Sequence, residues 1–488
     1  MKYRTVGVLA MALMLLVAVT ANALDRESPT HRVHQHLTAR QPDAGCDCDG
    51  SELCTHLPLV IIDTGGVEIP GIPIVNADGT EIGFTTTAQG ESMLSASISV
   101  MSSDEHNHHP SDDPDLESRI LIRARGNSSR YFDKKGYLIR LTNERGDYRS
   151  EEMMGMAPHY EWALHGPYLD KSLMRNYMWY NIGGEIMDYA PNVRFCEVVL
   201  NGKYMGLYVM TETITDGESC RLDLSEPVDG AAQTGYVLRM DAGSDNPLKN
   251  IDTFSVYSYR NLQKIDIQYP RTGDLTEERI DYITQDFSDF EKSLYSYDYD
   301  TEPYAWWNDA DINSFVDYFI LNEFTCNYDA GWRSTYIYRD VRGKYKMVIW
   351  DFNSACNNYQ EDFMSPQRFM MQGIPWYRML TKDEHFIESV ISRYRHLRTT
   401  YLNEDYLINY TNEVTAYLGS AIDRNFEVWG YAFDKFRPLR PRNRNPADHD
   451  QALEQLQQFI YERGSWMDES IDVLLQYSHE SKVKKFNH

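Results

Sequence analysis

From Leu57 onward the chain reads as short runs of alternating or continuous apolar residues, and the rhythm changes near its middle. LPLVIIDT (Leu57–Thr64) is a continuous apolar run of strand length. MLSASISVM (Met93–Met101), RILIRARG (Arg119–Gly126) and KKGYLIRL (Lys134–Leu141) alternate with a period of two, as half-buried strands do. DKSLMRNYMWYNIGGEIM (Asp170–Met187) instead spaces its apolar residues at helical intervals, with Asp170 at a capping position. RFCEVVL and KYMGLYVMTETI flank Asn201-Gly202, a dipeptide that supplies the two positive φ angles of a tight hairpin turn. Further strands are predicted at GYVLRMD and KIDIQYP.

From about Leu275 the pattern turns helical, through LTEERIDYITQDFSDFEKSLYSY and ADINSFVDYFILNEF. One strand pair interrupts it: STYIYRD and KYKMVIW, joined at Val341-Arg342-Gly343. Helical spacing then runs from Lys382 to the end, closing with ALEQLQQFIYERGSWMDESIDVLLQY. The pattern predicts an α+β chain: a strand-rich first half with one embedded helix, and a helix-rich second half with one hairpin. No solenoid period is visible.

Ahead of this, Lys2 and Arg4 precede an apolar run from Val6 to Thr20, and Ala21-Asn22-Ala23 offers a small-x-small cleavage site. The run is shorter than the roughly 20 residues a spanning helix requires. A cleaved export signal over 1–23 is expected, then a polar tether over 24–56. No cysteine follows the cleavage site, so no lipid anchor is expected, and no later segment is apolar enough to span a bilayer. The expected location is outside the cytoplasm: secreted, periplasmic or at the cell surface.

A formal charge of −26 disfavours nucleic acid as a partner and favours basic ones; it also keeps an exported protein soluble. Export permits disulfides, and Cys196–Cys220 and Cys326–Cys356 each bracket one local unit. Cys46, Cys48 and Cys54 have the spacing of part of a zinc set, but a fourth ligand is not obvious. His106, His108 and His109 lie in a polar loop; they could hold a metal, but solvated loop histidines are the preferred reading. Lys435, Arg437, Arg440, Arg442 and Arg444 form the one basic patch, in a Pro-rich stretch that reads as a flexible loop or as a contact for phosphate or an acidic partner.

The chemistry concentrates between Phe319 and Tyr359. Asp329 follows a helix in a loop, and Asp351 and Asn353 follow the last apolar residues of a strand. An acidic loop residue and a second acidic group beyond a hairpin suit divalent-metal and phosphoryl chemistry. Paired carboxylates also permit a hydrolase, though nothing in the spacing requires it.

The segments RGNSSRYFDKKGYLIRL, YLDKSLMRNYMWYNIG, VVLNGKYMGLYVMTETI, NEFTCNYDAGWRSTYIYRD and VIWDFNSACNN occur in this order, with FIYERGSWMD in the terminal helix. Together they resemble the spore-coat protein H (CotH) family of atypical, secretory-pathway-like protein kinases. The resemblance implies a bilobal kinase-like fold: an N-lobe over 57–213, a C-lobe over 214–400 and a helical extension over 401–488. It implies transfer of the ATP γ-phosphate to Ser or Thr of a protein substrate, itself basic or Ser-rich, with Mg²⁺ or Mn²⁺.

By the same resemblance Asp329 is the catalytic carboxylate and Asp351 the principal metal ligand. Asn353 stands where the family pattern has a second Asp, and Ser334 stands where another ligand is expected. Lys134 or Lys135 would clamp the phosphates. Lys135, sharing a strand face with Tyr137 and Ile139, is the favoured one. Glu212 and its neighbours would form the hinge against adenine, and Arg175 with Asp170 would either clamp the helix to the cleft or pair structurally. The alternative is a kinase-fold surface adhesion protein that has lost turnover.

Overall fold

The computed structural model describes residues 32–39, 46–217, 221–241, 248, 264–435 and 438–481. The expected signal segment, Cys220 and Arg437 lie outside the described residues, as does the side chain of Lys435.

The strands, in chain order, are β1 (Leu59–Asp63), β2 (Pro73–Val75), β3 (Glu81–Phe84), β4 (Leu94–Met101), β5 (Leu116–Arg125), β6 (Gly136–Thr142), β7 (Glu151–Met153), β8 (Met156–His159), β9 (Glu161–His165), β10 (Val193–Leu200), β11 (Lys203–Glu212), β12 (Tyr236–Asp241), β13 (Lys264–Tyr269), β14 (Thr335–Arg339) and β15 (Lys346–Val348). The helices are α1 (Gln35–Thr38), α2 (Arg175–Ile186), α3 (Glu277–Tyr295), α4 (Ile312–Thr325), α5 (Tyr377–Leu380), α6 (Glu384–Leu397), α7 (Glu404–Leu418), α8 (Ser420–Trp429), α9 (Tyr431–Lys435) and α10 (His449–Ser470).

The strand-rich half closes on itself. β1, β10, β11, β9, β6, β5 and β4 form a seven-stranded barrel, sealed by β1 lying parallel to β10 and antiparallel to β4. Pleat alternation fills it with Val60, Ile62, Ile98, Ile120, Ile122, Ile139, Trp162 and Met210. β10 is buried on both faces because its outer face, with Val193 and Phe195, packs against Tyr177 of α2. At the β10–β11 turn Asn201 and Gly202 take φ of 50° and 73°, as the dipeptide predicted. Gly206 (φ 91°) lets α8 approach, because a Cβ there would sit 2.6 Å from Asn425 Oδ1.

The second half builds a four-stranded sheet, β13-β12-β14-β15, under a larger core of helices α3 to α7 and α10. Both β12 and β15 run antiparallel to β14 from opposite sides, so they run parallel to one another. Their C-terminal ends, Asp241 and the segment leading to Asp351, therefore emerge at the same edge of the sheet.

The fold is α+β, as predicted, with a closed barrel where only a strand-rich region was expected. Within the stretch read as a tether, Gln35 caps the edge of Phe195 through both backbone groups (2.7 and 3.2 Å) and His36 bonds Tyr177 Oη (2.9 Å). Apolar periodicity cannot register such a segment, because polar side chains hold it. Among the described residues no helix is long and apolar enough to cross a membrane.

Candidate active site

A narrow cleft of about 50 Å³ lies between the barrel and the Asp351 segment. The barrel contributes Arg125, Gly136, Leu164, His165 and Thr211, and the turn after β5 adds Gly126 and Ser129. α2 contributes Asn176 and Tyr180, and the chain beyond β15 contributes Trp350, Asp351 and Asn353.

Asp351 is held in a left-handed conformation (φ 58°), which Asp tolerates better than most residues. Its N–H donates to Tyr180 Oη (2.9 Å), and its C=O accepts from Asn327 Nδ2 (3.1 Å). The next N–H, of Phe352, donates to Asn176 Oδ1 (2.7 Å). The Asn353 N–H donates back to Asp351 Oδ1 (3.2 Å). Backbone fixed from both sides aims one carboxylate into the cleft.

Burial raises the Asp351 pKa, Asp241 pushes it further up, and Asn353 and Arg125 oppose the rise. The Arg125 guanidinium also lies over the Trp350 ring at 5.2 Å. His165 is pushed down to about 4 by burial, with Arg125 adding to the effect, so its imidazole is neutral at physiological pH. The Asn353 side chain hydrogen-bonds both His165 and Asp351.

Hard oxygens from Asp351, Asn353 and nearby Asp241 suit a Mg²⁺- or Mn²⁺-sized ion. Asn327, whose Nδ2 donates to the Asp351 carbonyl, keeps a buried Oδ1 with no hydrogen-bond partner. The residues fit such an ion, with Asn353 turning its amide oxygen from His165. The cleft is too small as it stands for an adenine nucleotide.

Asp329 sits in the turn after α4, where its carbonyl accepts from Trp332 and Arg333 (3.4 and 2.9 Å). It does not line the Asp351 cleft, and its charge is felt at Tyr359, which stacks on Tyr328 at 3.8 Å. Ser334 (φ 46°) precedes β14 and does not line the cleft either.

Lys134 and Lys135 precede β6, so strand alternation does not orient them. Lys134 is buried and donates to Leu207 O and Asn425 Oδ1 (both 2.6 Å), tying α8 to the barrel; Lys135 bonds Phe132 O. Glu212 accepts from the backbone and side chain of Asn192 (2.9 and 3.2 Å), while its neighbour Thr211 faces the cleft. Arg175 pairs with Asp170 (2.5 Å) and donates to Ala355 O (3.1 Å), so it braces the chain just beyond Asp351.

Four other expectations are corrected. Cys326 and Cys356 are free thiols: the strands of chain they mark are joined by Cys356 N–H donating to Thr325 O (2.7 Å), with no disulfide. Cys196 is also free, inside the barrel. The basic patch is not a free loop at Arg444, whose guanidinium donates to the carbonyls of Asn357, Tyr359 and Asp362 (2.5, 2.9 and 2.7 Å). His108 is buried, not solvated, because it pairs with Thr55.

Asp241, Arg125 and His165 were missed in the sequence. Asp241 left a signal, since GYVLRMD and VIWD both end apolar strands in Asp. Arg125 and His165 left none, because only barrel closure brings them to Asp351.

Taken together, these observations define an α+β protein with a buried polar cleft around Asp351, between a closed barrel and the end of a second sheet. The chain belongs to the family described as CotH kinase protein, whose match covers residues 122–467 and thus every residue of the cleft. It is also similar to the inner spore coat protein H of Bacillus subtilis (strain 168), 26% identical over 243 residues. That alignment takes in 48% of this chain and spans 58% of the relative's length.

Proposed function

We propose that the chain is an exported phosphotransferase that moves the γ-phosphate of ATP to a Ser or Thr hydroxyl of a protein substrate. The observation that carries this reading is Asp351: a desolvated carboxylate, fixed through its backbone by three side chains, beside Arg125 and a second Asp, within a chain of the CotH kinase family. Phosphoryl transfer requires charge compensation more than covalent help from the protein.

In this reading Asp351, Asn353 and Asp241 hold a divalent ion, which supplies charge neutralisation for the phosphates. Arg125 supplies a fixed cation on the barrel side. Asp329, outside the closed cleft, orients the acceptor hydroxyl once the cleft has opened. ATP enters as the barrel and the Asp351 segment separate, since the cleft holds only about 50 Å³ closed. Of the two lysines, this reading assigns the phosphate to Lys135, because Lys134 is locked in the barrel–α8 joint. The relative's name, a spore coat protein, supports a surface-associated location.

The test is transfer of labelled γ-phosphate from ATP, with Mg²⁺ or Mn²⁺, to a mixed basic and Ser-rich protein pool. Wild type should label it, and Asp351→Ala should lose roughly 10²–10³-fold, the usual cost of removing one preorganised electrostatic group. Asp329→Ala should lose activity while keeping metal-induced thermal stabilisation. Equal labelling by all three proteins would refute the reading.

A further inference from the structure

Outside the family-matched residues, three thiols and an imidazole converge at one rim of the barrel. Cys46, Cys48 and Cys54 come from the segment leading into β1, and His109 comes from the loop between β4 and β5. Their ligand atoms all lie within 4.8 Å of one another, and Cys46 Sγ is 3.5 Å from His109 Nε2. A tetrahedral zinc ion with its usual bond lengths has S–S edges of about 3.8 Å and S–N edges of about 3.5 Å. We propose that Cys46, Cys48, Cys54 and His109 form a closed structural zinc site.

Three further contacts have the character of a zinc site's surroundings. His109 Nδ1 faces Asp112 Oδ2 at 3.2 Å, and the same oxygen accepts the His109 backbone N–H at 2.8 Å. A carboxylate on the far nitrogen of a ligating histidine fixes its tautomer and ring orientation. Asn107 Nδ2 donates to Cys54 Sγ at 3.3 Å, fixing the sulfur's position. Thr55 and His108, each next to a ligand, exchange backbone hydrogen bonds of 3.1 and 2.6 Å, so an antiparallel bridge sets the two halves of the site side by side.

Apolar burial does not account for the convergence. Residues 46–54 are exposed or half-exposed and form no helix or strand, and within them Leu53 packs against a small cluster with Leu59, Met101 and Val199. A four-coordinate cation accounts for it directly. His106, His108 and Asp112 also approach within 4.8 Å, but Asp112 Oδ2 is already engaged twice by His109, so the thiolate set is the stronger site. With four protein ligands and no open position, the ion is structural and not catalytic. It staples the chain to the β4–β5 loop just before β1, the strand whose parallel pairing with β10 closes the barrel.

Zinc content of the full chain, purified without chelator, tests the site. One zinc per chain is expected, falling to background in Cys48→Ser and His109→Ala. After removal of zinc, titration with Co²⁺ should give the thiolate-to-metal charge-transfer absorption and strong visible bands of a tetrahedral thiolate site, a readout that does not depend on the variants folding. Asp112→Asn should retain zinc with affinity weakened about 10–100-fold. Three results would each overturn the proposal: a metal-free chain whose intact mass shows these cysteines still reduced, without the two-hydrogen loss of a disulfide; a Co²⁺ spectrum without thiolate charge transfer; or zinc retained in full by Cys48→Ser and His109→Ala.

Discussion

Barrel residues and sheet-end residues reach the same cleft by different means. Arg125 lies opposite Gly136, and Leu164 lies opposite both Tyr137 and Met210, so strand register alone delivers them. Asp351 and Asn353 stand on irregular backbone, pinned by Tyr180, Asn176 and Asn327. Many redundant ladder bonds place the first set, whereas a few long-range polar contacts place the second. Damage to the barrel should therefore cost stability in bulk, and damage to the polar braces should cost the site.

The contrast is greatest between Trp162 and Arg463, both fully buried. Trp162→Ala should lose about 3–5 kcal/mol by cavity formation, while molecules that remain folded keep their metal response. Arg463, on α10, pairs with buried Glu323 near the end of α4 and donates to the carbonyls of Glu323, Pro366 and Arg368 (2.7 Å each). Glu323 in turn accepts the N–H groups of Met370 and Met371 (shortest contacts 3.1 and 2.8 Å). Arg463→Ala leaves an uncompensated buried carboxylate and should also cost about 3–5 kcal/mol. Because α4 ends in the Asn327–Asp329 turn, this variant should lose phosphotransfer per folded molecule too. Denaturant unfolding beside single-turnover assays separates the two outcomes, and equal specific activity in both variants would abolish the distinction.

Asn327 tests the braces more finely. Its Nδ2 bridges Asn322 Oδ1 and Asp351 O at 3.1 Å each. Asn327→Ala should destabilise by about 1–3 kcal/mol, the cost of leaving a buried polar group unpaired. Metal-induced thermal stabilisation should shrink by more than overall stability does; if it is unchanged, Asp351 does not depend on this brace.

Lys134 sharpens the barrel side. Burial holds its pKa well below the usual lysine value, so between the folded pKa and about 10.5 the unfolded chain binds the extra proton. Its contribution to stability is therefore smallest at low pH and grows as pH rises. Lys134→Met should be the less stable protein by roughly 1–2 kcal/mol in the alkaline range, with a gap that narrows toward acid pH. Melting curves across pH read this directly. A gap that widens toward acid would mean the ammonium is charged in the fold.

How much of this was legible in the sequence follows the same division. The β5 and β6 strands, the Asn201-Gly202 turn, α2 and α10 announce themselves through local period and turn chemistry. Asp351 and Asn353 could be picked out because a strand end presents them. Barrel closure could not, since the β1–β10 pairing joins residues more than a hundred positions apart and leaves no local trace. The period-of-two argument that favours Lys135 fails for a related reason: it extends the strand to two residues ahead of β6, where the chain is not yet a strand. His109 was invisible as a partner of Cys46 because the β4–β5 loop, and not sequence spacing, brings them together.

The smallest and most specific effect concerns Asn353, the amide standing where the family pattern has a carboxylate. Its side chain now bridges neutral His165 and Asp351, so it relieves a buried acid without adding charge. Asn353→Asp sets two carboxylates together in a desolvated cleft. Like charges so placed cannot both ionise freely, and the metal-free protein should melt lower than wild type above the carboxylate range. A divalent ion reverses the balance, because affinity for hard cations rises with ligand charge. Binding of Mn²⁺ should tighten by about tenfold, equivalent to about 1.4 kcal/mol, and the metal-induced rise in melting temperature should exceed that of wild type. Asp351→Asn should do the opposite: burial raises the Asp351 pKa, so stability is lost as pH climbs through it, and removing the charge should stabilise the metal-free protein at neutral pH while abolishing its response to Mn²⁺. If Asn353→Asp leaves both the metal-free melting temperature and the Mn²⁺ response unchanged, residue 353 does not share an ion with Asp351, and the cleft's second ligand is Asp241.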